Sequence, residues 1–324
     1  MNTDKKRIVS VVFSFRNEDS VLQELINRVE NIFKKLGYDY ELIFVNDDSI
    51  DKSLEILEKN RKRNNQIKII NMSRRFGVSA CVIAGFKHSI GDAVIYMDSD
   101  LQDPPEIIPE LIKKWEEGND VVHTIRTKRK GENVIRMFLV KIAYKVIDIL
   151  SDIKILQDSG NFKLISRRAL EAILTLNEHD PFLRGLSSWI GFRQAHVYYE
   201  RQARFSGKTH FSLMRSSGLY KEFIRGVTTF SSIPLYVSLY VGFLVSSGAF
   251  VYILIIIIQK IFYGNPNTGW ASMMVTLLFL GGSILFSIGI IGIYLGKMHE
   301  AMKQRPRYLI ESKIGFSDDI TKQN

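Results

Sequence analysis

The sequence predicts an α/β domain with a mostly parallel sheet, followed by a hairpin of two transmembrane helices. Three observations lead there. Apolar, strand-like runs alternate with stretches of helical period, the order that gives parallel strands joined by right-handed crossovers. The acidic residues Glu18, Asp47 and Asp98 each fall at the carboxyl end of such a run, where open sheets of this kind bind ligands. Ile233 to Ile258 and Trp270 to Leu295 are 26 residues each without a Lys, Arg, Asp, Glu or His. At about 1.5 Å per residue, each outspans the roughly 30 Å of bilayer hydrocarbon.

Ile8 to Phe15 is a continuous apolar run and reads as a buried first strand. Lys5, Lys6 and Arg7 before it imitate a signal peptide, but the run is short, lacks a small-residue cleavage site and leads into Arg16-Asn17-Glu18-Asp19. Ser20 to Leu36 places Val21, Leu22, Leu25, Ile26, Val29, Ile32 and Phe33 at helical spacing, and Glu41 to Val45 is the second strand. The turn between first strand and first helix holds no glycine, so the dinucleotide-binding fingerprint is absent and phosphates need another strategy. Asp47 and Asp48 end the second strand, and Ser49 and Asp51 are expected to cap a helix over Lys52 to Asn64. Of these four, Asp47 is the better ligand candidate. Ile67 to Asn71 is a third strand, followed by Ser73-Arg74-Arg75-Phe76-Gly77 and a helix from about Ser79 to Ser89.

The central strand ends in Val-Ile-Tyr-Met-Asp-Ser-Asp-Leu-Gln-Asp-Pro-Pro-Glu, Val94 to Glu106. Asp98 and Asp100 are one residue apart where the strand gives out, so their oxygens can turn toward one ion, and Gln102 continues the same parity. Hard oxygen ligands suit magnesium or manganese, and such ions usually bridge a carboxylate and a substrate diphosphate. The plain alternative is a solvated acidic turn. Val121 to Ile125 is a further strand whose end carries Arg126 and Arg129. These arginines either grip a substrate phosphate bidentately or dress the surface. Asn133 to Leu150 reads as a helix resting on protein or on membrane.

Basic residues orient the two spans. Lys208, Arg215, Lys221 and Arg225 precede the first, Lys297, Lys303, Arg305, Arg307 and Lys313 follow the second, and the connecting loop holds only Lys260. Both flanks are therefore expected in the cytoplasm. This divides the chain into a cytosolic domain (1–210), a juxtamembrane amphipathic segment (211–232), the two spans, and a basic tail (297–324). A single cysteine, Cys81, agrees with a cytosolic setting and excludes an internal disulfide. Much of the net charge of +10 lies beside the spans, where anionic lipid headgroups attract it, and no nucleic-acid motif accompanies it. Arg201, Arg204 and Lys208 come just before the spans and extend this basic flank. Gly292 and Gly296 form a Gly-x-x-x-Gly, which packs helices within the hairpin or between protomers of a homo-oligomer, or reflects the glycine content of such helices.

The segments Ser10 to Glu18, Val45 to Asp51, Ser73 to Gly85, Met97 to Glu106, Gln157 to Arg168, Phe182 to Gln194 and Arg201 to Phe211 resemble, in order, the motifs of glycosyltransferase family 2. The likeness is to the branch with bactoprenol glucosyltransferases and dolichol-phosphate mannose synthases. It covers nearly the whole chain, and Asp-Ser-Asp-Leu-Gln-Asp-Pro-Pro-Glu and Phe-Leu-Arg-Gly-Leu-x-x-Trp-Ile-Gly-Phe-Arg-Gln are its most specific parts.

The resemblance implies a GT-A catalytic domain that moves a sugar from a nucleotide, a UDP-sugar by family habit, to a polyprenyl phosphate with inversion. It implies that Glu18 and Asp47 face base and ribose, that Asp98, Asp100 and Gln102 surround metal and diphosphate, and that Asp158 lies beside the acceptor. Arg126, Arg129, Arg201 and Arg204 would hold phosphates. Ser14, Asp48, Arg75 and Gly207 to Phe211 depart from the pattern. Asp48 stands where glycine is usual, so the turn is expected to demand a positive φ there, which aspartate tolerates better than most residues.

The chemistry implied is a single displacement at the anomeric carbon by an oxygen of the lipid phosphate. A phosphate monoester, with its second pKa at about 6, is mostly ionised at pH 7, so a strong general base is less needed than for a sugar hydroxyl. Asp158 is accordingly assigned as base or as positioning carboxylate, or as a loop aspartate bonded to its own backbone. The expected place of action is the cytoplasmic face of a bacterial inner membrane. Two other functions remain consistent with the sequence. One is a catalytically silent, membrane-tethered nucleotide-sugar binder; the other is a transferase with a polysaccharide or protein acceptor, for which more spans would be usual.

Overall fold

The computed structural model describes residues 7–129, 159–176, 178, 181–201, 231–263 and 269–316. They fall into two compact units, one holding the sheet and the other the two long apolar helices. The helix expected over Asn133 to Leu150, the juxtamembrane segment 211–232 up to residue 230, and Asp158, Arg204 and Lys208 lie outside the described residues.

The sheet unit begins as the apolar pattern requires. Strand β1 (Ile8–Phe15), helix α1 (Asp19–Leu36), β2 (Asp39–Asn46), α2 (Ser53–Arg63), β3 (Ile67–Met72), α3 (Val78–His88) and β4 (Ala93–Asp98) alternate strictly. A short 3-10 turn (Pro105–Ile107) leads into α4 (Ile108–Glu116), then β5 (Val121–Arg129), β6 (Ser159–Ser166), α5 (Arg167–Thr175), α6 (Leu183–Trp189) and β7 (Gln194–Arg201). With a last strand, β8 (Ile310–Ile314), the eight-stranded sheet has the order β7-β5-β6-β4-β1-β2-β3-β8. Strands β4, β1, β2 and β3 are mutually parallel, β6 runs antiparallel to both β4 and β5, and β5 and β7 pair in parallel.

Strand alternation sends residues to two cores. Val9, Val11, Phe13 and Phe15 face α1 and α4, where Leu22, Leu25, Ile26, Leu111 and Ile112 bury the apolar stripe of each helix. Val12, Ile43, Val45 and Ile70 face α3 and α5. Gly85 is required on that side, because a Cβ there would collide with Val12 and Val45, so its absence lets α3 sit directly on the sheet.

The tail, expected as a separate basic segment, instead supplies an edge strand, β8 (Ile310–Ile314), antiparallel to β3. Its Ile310 and Ile314 are half-buried, while Glu311, Ser312 and Lys313 stay exposed. The other unit contains α7 (Ile233–Tyr263) and α8 (Trp270–Met302), each long and apolar enough to cross a membrane. Within it, the Tyr294 hydroxyl donates to the Ser231 carbonyl at 2.7 Å.

Candidate active site

The acidic residues picked out along the sequence meet at the carboxyl ends of the parallel strands, and the turns after β1 and β2 are built together. Asn17 follows β1 with φ 56°, and Asp48 follows β2 with φ 61°, the left-handed conformation expected where a glycine is replaced. The Asn17 N–H donates to Ser49 Oγ (3.0 Å), and Asn17 Oδ1 accepts the Ile50 N–H (2.9 Å). The Glu18 N–H donates to Ser53 Oγ at 3.0 Å. Asp51 takes the Ser53 N–H on one oxygen (3.0 Å) and the Asp19 N–H on the other (3.1 Å). The expected capping is met by Asp51, whose carboxylate takes the first N–H of α2 as well as that of α1, and is corrected at Ser49, which serves Asn17 instead of a helix; Lys52, directly before α2, makes no side-chain cap bond. The reason is that the two turns lie side by side, and each supplies acceptors for the other's free N–H groups.

Asp47 is buried, and its carboxylate accepts the N–H groups of Phe76 (2.7 Å) and Gly77 (3.1 and 3.2 Å). It therefore shapes the loop that carries Arg74 and Arg75. Burial and the neighbouring Asp47 carboxylate push the Cys81 thiol up, so Cys81 stays protonated and unreactive.

At the end of β4, Asp98 accepts a hydrogen bond from the Tyr96 hydroxyl at 2.6 Å. Extended backbone stops there. Leu101 adopts φ 55° and drops into the core, so a turn, not strand parity, brings Asp100 toward Asp98 and places Gln102. The Gln102 N–H donates to Asp100 Oδ1 at 3.1 Å. Burial, then the adjacent Asp98 charge, raises the Asp100 carboxyl, against the opposing pull of that N–H. Two half-buried carboxylates that repel one another are a donor set that a divalent cation relieves. Among the described residues no group of three or more His, Cys, Asp and Glu side chains is arranged for a metal, so the fit is that of a shared ion completed by other oxygens.

Arg126 lies on β5 directly opposite Tyr199 on β7. Its Nη2 reaches both oxygens of Asp103 at 3.3 Å, and its Nε donates to Tyr199 Oη at 3.0 Å. The Tyr199 hydroxyl donates to Asp103 in turn, and Arg201 Nε stands 3.6 Å from Asp103 Oδ1. Burial, the largest single influence, would lower the Arg126 guanidinium, but Asp103, Tyr199 and Asp98 together outweigh it and hold the charge on. Gly160 makes room, since a Cβ there would stand 2.8 Å from Arg126 Nη2. Arg126 is thus neither surface dressing nor an unpaired cation. Arg129 ends β5 opposite Arg201 in register.

Asp103, fully buried, and Tyr199 were not singled out as site residues from the sequence. The Asp-x-x-Asp spacing from Asp100 was a signal for the first; nothing marked the second. Lys163 was also missed. It is buried on β6, donates to Ser187 Oγ on α6 at 2.7 Å, and is held down to about 7 by burial and by Arg184 nearby.

Residues 10–174 match the family described as glycosyl transferase family 2. The chain belongs to glycosyl transferase family 2. An uncharacterized glycosyltransferase of Synechocystis sp. is 41% identical over 308 residues, covering 95% of this chain and 96% of the relative. A bactoprenol glucosyl transferase of Shigella phage SfX is 36% identical over 305 residues, covering 94% and 99%. Among solved structures, glucosyl-3-phosphoglycerate synthase from Mycobacterium tuberculosis, with Mn2+, UDP-glucose and phosphoglyceric acid, aligns at TM-score 0.49 and 19% identity over 70% of this chain and 80% of that one. The family 2 chain thus carries a GT-A domain, a mostly parallel sheet between helices, and two apolar helices beyond it.

Proposed function

We propose that this glycosyltransferase moves a sugar from a UDP-sugar to undecaprenyl phosphate, with inversion, at the cytoplasmic face of a bacterial inner membrane. The observation that carries the reading is the half-buried Asp98–Asp100 pair beside the Asp103–Arg126–Tyr199–Arg201 cluster. Its support from similarity is the near full-length likeness to bactoprenol glucosyl transferases.

Asp98, Asp100 and Gln102 would hold a magnesium or manganese ion, which when bound supplies Lewis-acid neutralisation of the charge on the leaving diphosphate. Glu18 and Asp47 line the nucleotide end; Asp47 does so by fixing the Phe76–Gly77 backbone. Arg126 keeps its charge beside the site through Asp103, and a fixed cation there favours a diphosphate without reorganising as the bond breaks. Arg129, Arg201, Arg204 and Lys208 meet the lipid phosphate. Asp158 orients that phosphate or takes up its proton. The two apolar helices keep the domain at the headgroup level, where the phosphate of a lipid acceptor resides while its chain stays in hydrocarbon.

The test is to incubate purified protein, Mg2+ or Mn2+ and a short-chain polyprenyl phosphate with a panel of UDP- and GDP-sugars. One UDP-sugar is expected to yield a lipid-linked monosaccharide together with UDP. Nucleotide binding with no product from any donor would leave a silent binder in its place.

A further inference from the structure

The tail strand is tied to the nucleotide end of the sheet by a row of polar side chains crossing three strands. Asn46 on β2 is the register partner of Asn71 on β3, and Asn71 is the partner of Ser312 on β8. The Asn46 amide donates to Asn71 Oδ1 at 3.1 Å, and the Asn71 amide donates to Ser312 Oγ at 2.9 Å. Asn46 Oδ1 is then free to accept the Ser49 N–H at 2.9 Å, within the turn that also holds Asp47 and Asn17. Both amides are buried, so each bond fixes the orientation of the next, and a reversed Asn71 would leave a buried donor facing a donor.

A second connection runs beside the first. The Ser73 N–H donates to the Leu309 carbonyl at 3.0 Å, which anchors the start of the loop whose far end, Phe76 and Gly77, is held by Asp47. The tail is itself fastened at both ends. Arg307 donates to the Leu176 carbonyl at 2.7 Å, and Phe316 packs edge-on against His88 at the end of α3.

We infer that Asn71 and Ser312 are positioning residues for the nucleotide donor, so that a strand lying beyond the apolar helices in sequence sets the shape of the donor site. The inference rests on the reading of the β1–β3 ends as the nucleotide site. Neither residue is required to touch the donor; each acts by orienting Asn46 and the turn bearing Asp47.

The experiment measures UDP binding by calorimetry, with GDP where UDP shows none, and donor KM and kcat for the full-length protein in detergent. Asn71→Ala is expected to weaken nucleotide binding and raise donor KM about tenfold, and Ser312→Ala about threefold, with kcat at saturating donor within about twofold of the wild type. Ser312→Thr, which keeps the hydroxyl, restores the wild-type KM, and the Ala and Thr variants unfold at the same temperature. Ser312→Ala isolates the effect should Asn71→Ala fold poorly. Wild-type KM in Ser312→Ala, or equal weakening in Ser312→Ala and Ser312→Thr, overturns the inference alone. A wild-type protein that binds neither nucleotide overturns the donor reading beneath it.

Discussion

At the ends of β1, β2 and β3 the polar side chains bond mainly to backbone: Asn17 to Ile50, Asp51 to Asp19 and Ser53, Asp47 to Phe76 and Gly77. Across β5, β6 and β7 they meet other side chains, several of them charged, with Asp103 among Arg126, Tyr199 and Arg201, and Lys163 on Ser187. The first arrangement gives loops a fixed shape, with the buried Asp47 carboxylate held by backbone N–H groups and not by an opposite charge. The second stores charge out of water, where each ion depends on its partner. Between them stands β4, whose end carries Asp98 and Asp100. On the proposed reading, such a site would separate recognition, done by shape, from charge handling, done by ions held in place.

The boundary between the halves should show the largest response. Asp100→Ala removes one of the two carboxylates proposed for the cation, and turnover to lipid-linked product is expected to fall roughly a thousandfold or more. Intact turnover in metal-free buffer would remove the basis for a cation site at β4.

On the charged half, Asp103→Asn leaves Arg126 and Arg201 without their buried counter-ion. Breaking such a pair costs about 3 kcal/mol or more. A fall in the chemical unfolding midpoint is therefore expected along with lost activity. Unchanged stability would show that water, not Asp103, balances these arginines.

Lys163 sharpens the same contrast through pH. Its folded value, about 7, lies below the unfolded 10.5, so between those values the unfolded chain binds more protons, and this group's contribution to stability rises with pH across that window. The penalty of burying the ammonium is therefore greatest below pH 7. Lys163→Met should raise the thermal midpoint at pH 6, by about 1–3 kcal/mol of stability, and by progressively less toward pH 9. A gain that does not change with pH would mean that the folded amine stays charged and compensated throughout.

The two halves also differ in how plainly they are written in the sequence. β1 was expected over Ile8 to Phe15 and spans those residues, and α1 to β4 fall within a few residues of expectation, because fully buried parallel strands are unbroken apolar runs. β6 was not foreseen, since Asn161 and Lys163 interrupt its apolar pattern. β7 does alternate, Val197 and Tyr199 in and Tyr198 and Glu200 out, but its polar content hides it. β8 is five residues with only two half-buried, a pairing that depends on β3 offering an edge. In the candidate site, the places of Glu18, Asp47 and Asp98 at the carboxyl ends of strands were legible, and the turn that carries Asp100 was not. Asp103 was not, because an aspartate is read as solvent-facing until its arginine partners, more than 20 residues away, are brought to it.

The smallest expected effect belongs to the backbone-shaped half. Asp48 holds φ 61° and is exposed at the turn after β2, and its carbonyl accepts from Arg16 Nε at 3.3 Å, a bond that any residue there can make. Glycine would relieve the left-handed strain but lose more freedom on folding, two terms of about 0.5–1 kcal/mol with opposite signs. Aspartate is among the residues least penalised in this region, so Asp48→Gly should stabilise the protein by less than about 0.5 kcal/mol, with nucleotide affinity unchanged. A larger loss in denaturant unfolding would show that the Asp48 carboxylate takes part in shaping the turn, and that this half is not held by backbone bonds alone.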